Sequence, residues 1–440
     1  MAVAVKALLA SLLLDAALAS LLGIDSIIPA VPAVPTVGPE WIVDLAKAPL
    51  TGLKAAVSRD FDPLMDLDPV ELSRYWGYDA ELHHVTTDDG YILGIHRVRN
   101  ATVASEASGA TQPVVVMGHP LLSSSAEYLV LGPGKALAYL LADEGFDVWL
   151  LNVRGNTYSL NHTTLSTKEA AFWDFSFHEH GTQDLPALIQ YAMQETGQQE
   201  VQYVGFSMGT TTMFVMGAER PDVAKHVKLY TGFGPVAEGS HARSAAFRLL
   251  LQSIPAQKLA GAPLGVYWFL PSTPELRATG QTLCADSAPL TQPLCLAIFA
   301  SLGGRNDKQT NTTLLPYILS RTPAGTSFKV LDHYRQGLVP GFHKYDYGTI
   351  QNLARYGQLT APSYNLSNIF VPTRLYYGPN DLLAGPQDVL STCAQLSNVL
   401  SCEAVDDPEW THFDFVWAKQ VPELVYSQAI ARMKAAESSA

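Results

Sequence analysis

Three side chains far apart in the chain have the types needed to attack an ester together. They are Ser207 in "VGFSMGT", Asp381 in "YYGPNDLL" and His412 in "EWTHFDF". A serine hydroxyl is too weakly acidic to act alone; it needs a base to take its proton, and the base needs an acid to orient it. Gly205 and Gly209 flank the serine in a G-x-S-x-G pattern. That pattern is short enough to arise by chance, so it counts only where a strand ends and a helix begins.

The surrounding elements supply that context. Short β-rich runs, "PVVVMG" (113–118), "FDVWLLNV" (146–153), "VQYVGF" (201–206) and "VKLYTGFGP" (227–235), alternate with helical stretches, one of them near 184–195. Nearly continuous apolar strands separated by helices predict a mainly parallel sheet covered on both faces, an α/β fold. Before them, "HHVTTDDGYILGIHRV" (83–98) reads as a hairpin turning at Asp89 and Gly90. The strand and helix rhythm stops at Pro235 and returns at "IFVPTRLYYGPND" (369–381), with a last strand near 399–405. We therefore expect a core of residues 61–235 and 369–436 carrying an inserted cap, 236–368.

Ser207 then lies at the end of a strand, where flanking glycines relieve crowding and the hydroxyl projects above the sheet edge. In such sheets the order along the chain is nucleophile, acid, base. After His343 the only remaining histidine is His412, and it follows the last expected strand. Asp381 comes directly after a strand, whereas Glu403, Asp406, Asp407 and Asp414 lie at or beyond the final one, so Asp381 is the better orienter. An oxyanion also needs two N–H donors. The expected pair is Met208 N–H, next to the nucleophile, and Leu121 N–H in the loop "GHPLLSSS".

Composition narrows the function classes. A formal charge of −13 removes the basic surface that nucleic-acid binding needs. No C-x-x-C or neighbouring histidine suggests a metal among the four cysteines, and no cofactor is expected. Residues 1–19 combine Lys6, an apolar run and Ala17-Leu18-Ala19, the form of a cleaved secretory leader, and residues 20–60 read as a proline-rich linker or propeptide. No later stretch is long enough to span a membrane. Two further features agree with export: the close cysteine pairs Cys284/Cys295 and Cys393/Cys402, and sequons at Asn100, Asn161, Asn311 and Asn365. Four cysteines permit three pairings; local closure is the preferred one.

At this point the chain resembles the acid lipases, the gastric and lysosomal enzymes with their insect relatives. The likeness runs from about residue 75 to 426 through "GYDAELHHVTTDDGYIL", "DVWLLNVRGNTYS", "FWDFSF", "DLPALIQY", "HKYDYG", "NDLLAGPQDV" and "HFDFVWA". It implies an α/β-hydrolase core, a helical cap with a mobile lid, and hydrolysis of neutral lipid esters at a lipid–water interface, in a secreted or lysosomal setting. It also implies Ser207, Asp381 and His412 as the triad and supports Leu121 and Met208 as oxyanion donors. Two departures stand out: His119-Pro120-Leu121-Leu122 where the family usually has His-Gly-Leu-Leu, and Phe206-Ser207-Met208 where it commonly has His-Ser-Gln. Proline fixes φ beside a donor, so Pro120 is the larger departure. Within the cap, "APLGVYWFLP" (262–271) suits either a lipid-facing lid or buried packing. Arg154, Asp174 and Asp184 lie in family-like motifs and read as structural. Triacylglycerols are the first expected substrate; a sterol ester hydrolase and a lipid-binding relative with little turnover are the alternatives.

Overall fold

A computed structural model describes residues 63–106 and 112–438. The leader and linker readings, 1–19 and 20–60, lie outside the described residues. The strands that build the site are β1 (Asp79–Thr86), β2 (Tyr91–Arg99), β3 (Val114–Gly118), β4 (Asp147–Leu150), β5 (Val201–Phe206), β6 (Val227–Phe233), β7 (Thr373–Tyr377) and β8 (Val399–Ala404). They lie in the order β1-β2-β4-β3-β5-β6-β7-β8, and the short strand Asn161–His162 pairs with β2. β1 and β2 form the antiparallel hairpin expected around Gly90, and from β4 to β8 every pairing is parallel. This is the mainly parallel sheet that the apolar, helix-separated strands predict, in the α/β-hydrolase arrangement that the resemblance implies.

Burial on both faces explains why these strands read as unbroken apolar runs. Val114 and Val116 of β3 enter one core with helix α2 (Leu185–Thr196) and helix α3 (Met208–Glu219). Val115 and Met117 enter the other, with α1 (Leu137–Asp143) and the C-terminal helix α8 (Ser427–Glu437). Tyr203 and Val204 of β5 divide in the same way, and the one long polar side chain of that strand, Gln202, is buried with its Nε2 donating to Met433 O at 2.9 Å.

Residues 236–368 contribute helices α4 (Ala245–Gly261), α5 (Gln292–Gly303) and α6 (Phe328–Gln336), and a separate two-stranded ribbon of Trp268–Phe269 with Thr326–Ser327. Leu251 and Ile254 of α4, Phe269, and Phe328 and Leu331 of α6 form a cluster that packs on Leu121 and Leu122 of the loop after β3. The run 262–271 splits between its two readings: Leu264 is exposed and Phe269 buried. Disulfides join Cys284 to Cys295 and Cys393 to Cys402, the local pairings. Helix α7 (Asp414–Trp417) follows the last strand. Among the described residues, no helix is long and apolar enough to cross a membrane, and no group of His, Cys, Asp or Glu is placed to hold a metal.

Buried ionisable groups set the pH response. Burial holds His96 and His119 down to about 4 and His333 to about 3, and lowers His178 and His180 as well. An unfolded histidine takes its proton near pH 6.5, so these groups withdraw stability as the pH falls from about 6.5 toward 4. Glu127, raised by burial to about 7, and Asp414, raised to about 6, act in the opposite sense, because folded they keep protons that the unfolded chain releases near pH 4; Asp184 is also raised, despite its Arg154 partner. Five histidines outweigh three carboxyls. The melting temperature should therefore fall between about pH 6.5 and pH 4 by calorimetry; a rise over that range would mean that the histidines are not held neutral.

Candidate active site

β5 ends at Phe206, α3 begins at Met208, and Ser207 between them has φ 53° and ψ −115°. A side chain in this region costs on the order of 1–3 kcal/mol and persists only where the surroundings enforce it. Here three contacts enforce it. Ser207 N donates to Phe233 O at 3.0 Å, Thr210 N donates to Ser207 O at 2.8 Å, and Tyr203 Oη donates to Gly209 O at 2.7 Å. Both glycines of the motif are required by close approach: a Cβ on Gly209 would lie 2.0 Å from Gly118 O, and one on Gly205 would lie 2.8 Å from Gly209 C.

The structure brings Ser207, His412 and Asp381 into one hydrogen-bonded line. Ser207 Oγ lies 2.8 Å from His412 Nε2, and His412 Nδ1 lies 2.7 Å from Asp381 Oδ2. Nδ1–H donates to the carboxylate, which leaves Nε2 as the acceptor facing the serine hydroxyl. Asp381 Oδ1 accepts from Leu383 N and Ala384 N, both at 2.8 Å, so the acid is fixed from behind. All three residues are buried. Three of the other four acids near the last strand are engaged elsewhere: Asp414 accepts from Thr411 N at 2.7 Å, Asp407 from Glu409 N at 2.9 Å, and Glu403 pairs with Arg432 at 2.9 Å.

The loop after β3 sits beside the elbow through the contact of Gly118 with Gly209. Residues 120–123 form a turn, with Ser123 N donating to Pro120 O at 3.2 Å, and the positive φ of the turn, 60°, falls on Leu122. A turn of this kind demands φ > 0 at its third residue and places no such demand on its first, which is where Pro120 stands. His119 holds the loop's start: its Nδ1–H donates to Pro120 O at 2.8 Å, and its Nε2 accepts from Val153 N at 3.3 Å and Asn156 Nδ2 at 3.2 Å. Leu121 follows Pro120 directly, and Met208 opens α3, where a helix's first N–H groups have no partner within the helix.

Contacts from residues 236–368 also reach the site, and the sequence reading missed them. Gly303 O, at the end of α5, accepts from His412 N at 3.1 Å and from Leu382 N at 3.2 Å, so one carbonyl joins the His412 loop to the Asp381 loop. Arg243 N and Ser244 N donate to Leu382 O at 2.8 and 3.0 Å, and Arg243 Nη2 donates to Asp381 O at 3.1 Å. Ala324 N donates to Leu122 O at 2.7 Å. The one available signal was the pair Gly303 and Gly304 after an apolar helical run; a Cβ on Gly303 would meet the Phe413 ring at 2.6 Å. Arg154, Asp174 and Asp184 serve as supports. Arg154 pairs with Asp184 at 2.7 Å and Asp89 at 2.6 Å, and Asp174 accepts from Lys329 of α6 at 2.7 Å.

Comparison with known proteins agrees with this architecture. Residues 69–132 match the family described as a partial alpha/beta-hydrolase lipase region, and residues 113–264 match the alpha/beta hydrolase fold. The chain is 39% identical over 360 residues to Lipase 1 of Drosophila melanogaster, covering 81% of this chain and 77% of that protein. It is 36% identical to the gastric triacylglycerol lipase of Bos taurus, covering 84% of this chain and 92% of that one. It is 34% identical to the lysosomal acid lipase/cholesteryl ester hydrolase of Homo sapiens, covering 85% and 92%. A solved structure from Sulfolobus solfataricus shares the fold at a TM-score of 0.54 and 12% identity, covering 81% of this chain and 94% of that one. With relatives above 30% identity along more than four-fifths of its length, the chain belongs to the acid lipase family.

Proposed function

We propose that this protein is a serine lipase that hydrolyses carboxylic esters of neutral lipids, triacylglycerols first, through an acyl-enzyme. The observation that carries the reading is the continuous line from Ser207 Oγ to His412 to Asp381, at 2.8 and 2.7 Å. His412 Nε2 takes the Ser207 proton as Oγ attacks the ester carbonyl, and Asp381 stabilises the imidazolium. The N–H groups of Leu121 and Met208 receive the oxyanion, and His412 then returns its proton to the leaving alcohol. Water, deprotonated by the same imidazole, releases the acyl group. Under this reading, residues 236–368 are the cap over a hydrolase core of 61–235 and 369–436. The leader, the two disulfides and the four sequons support an exported protein, secreted or lysosomal. A relative whose name includes cholesteryl ester hydrolase keeps sterol esters as the second substrate class to try.

The test is an ester panel varying acyl length and alcohol, with Ser207→Ala as the blank. Ser207→Ala should abolish turnover while thermal unfolding and lipid binding stay as in the wild type, since the hydroxyl makes the covalent bond and little else. Turnover by the purified variant at the wild-type rate would remove the reading. His412→Ala should be equally inactive.

Pro120→Gly tests the oxyanion loop. The positive φ lies on Leu122, so glycine's freedom is not needed at 120. The substitution should change kcat by less than about tenfold, roughly 1.4 kcal/mol. A gain near a hundredfold, the scale of one oxyanion donor, would mean that the proline holds Leu121 N–H out of line.

A further inference from the structure

Glu127 is a buried carboxyl in the short helix Ser125–Tyr128, and among the described residues it forms no ion pair. Burying an acid without a cation is costly unless hydrogen bonds compensate. Its compensation comes from two donors on opposite sides: Ser123 Oγ donates to Oε2 at 2.5 Å, and Trp417 Nε1 donates to Oε1. Burial still pushes the carboxyl up to about 7, so neither donor is a substitute for a cation.

The two donors belong to the two halves of the active site. Ser123 closes the turn that begins at Pro120 and contains Leu121. Trp417 ends α7, the helix that starts two residues after His412. Its ring stacks on Phe413, the neighbour of His412, with centroids 4.7 Å apart and planes 15° apart, and Phe299 of α5 meets it edge-on at 5.3 Å. An apolar side chain of similar size could fill the space, but it could not offer two acceptor atoms aimed apart. We propose that Glu127 is a positioning residue for the hydrolysis described above, bracing the Leu121 turn against the His412 segment; the proposal rests on that reading of the site.

The brace makes no contact with substrate, so its loss should appear in the rate of chemistry and not in binding. Purified full-length secreted protein would be measured for kcat and KM on a monomeric short-chain nitrophenyl ester, and for the rate at which an organophosphonate labels Ser207. Glu127→Ala should lower kcat and the labelling rate by about tenfold or more with KM within about threefold, the scale expected when a donor is misplaced by a fraction of an ångström. Glu127→Gln should stay within about threefold of wild type, because the amide still accepts from Trp417 and can donate to Ser123 Oγ. Trp417→Phe keeps the ring stack and removes the donor, and should lower kcat by several-fold. A folded Glu127→Ala enzyme with wild-type kcat overturns the brace; if that variant does not fold, unchanged kcat in Trp417→Phe overturns it instead. Equal loss in the Gln and Ala variants also overturns it, since the acceptor geometry would then not be what matters. An inactive wild type overturns the lipase reading and the brace together, whereas an active wild type with indifferent variants overturns the brace alone.

Discussion

The site depends on one close approach. Gly118, the last residue of β3, and Gly209, in the first turn of α3, are so near that any side chain on Gly209 would begin 2.0 Å from a carbonyl oxygen. Parallel pairing of β3 with β5 aligns Gly118 with Gly205, and the elbow must fold back over that edge. The strained φ of Ser207 and the nearness of the 120–123 turn are both consequences. Ser207 and the 120–123 turn are thereby held by the sheet itself, which is the most rigid frame the fold offers.

The loops of Asp381 and His412 are joined to each other by Asn380 N donating to Trp410 O at 3.0 Å, and they are also tied to residues 236–368. Asp381 and His412 sit in loops beyond β7 and β8, and long loops hold geometry poorly unless their backbone groups are engaged. Residues 236–368 add to that engagement: Gly303 O binds both loops, and Arg243 and Ser244 bind Leu382 O. The line of hydrogen bonds is thus held partly by the sheet, which fixes Ser207, and partly by residues 236–368, which help to fix Asp381 and His412.

How far the sequence could reveal this follows from the range of each interaction. Ser207 was legible because its strand, glycines and helix are neighbours in the chain. His412 and Asp381 were legible because position in the strand order leaves few choices, and the apolar runs of β3 and β5 announce burial on both faces. Gly303, Glu127 and the positive φ of Leu122 left little or no local signal. Each acts on a segment that only the folded sheet brings near; Glu127 and Trp417 are 290 residues apart. The departure at Pro120 looked serious in the sequence because the position demanding φ > 0 could not be placed. The turn's hydrogen bond puts that demand two residues later.

These ties also constrain how a lipid could reach the buried serine. Ser207 is only 9% exposed. The end of α5 cannot leave without releasing the hydrogen bonds to both His412 and Leu382, and Ala324 cannot leave without releasing Leu122. Helix α4 is held differently. Its start is tied to the acid's loop and to Ser301 O through the Ser244 cap, while along its length only Leu251 and Ile254 are buried, Pro255 interrupts its hydrogen bonding, and Leu259 and Leu264 beyond are exposed. A proline within a helix removes one backbone bond and weakens the ladder there, so bending at Pro255 is cheaper than detaching α5. Bending at Pro255 would leave Arg243, Ser244 and Gly303 bonded to the Asp381 and His412 loops.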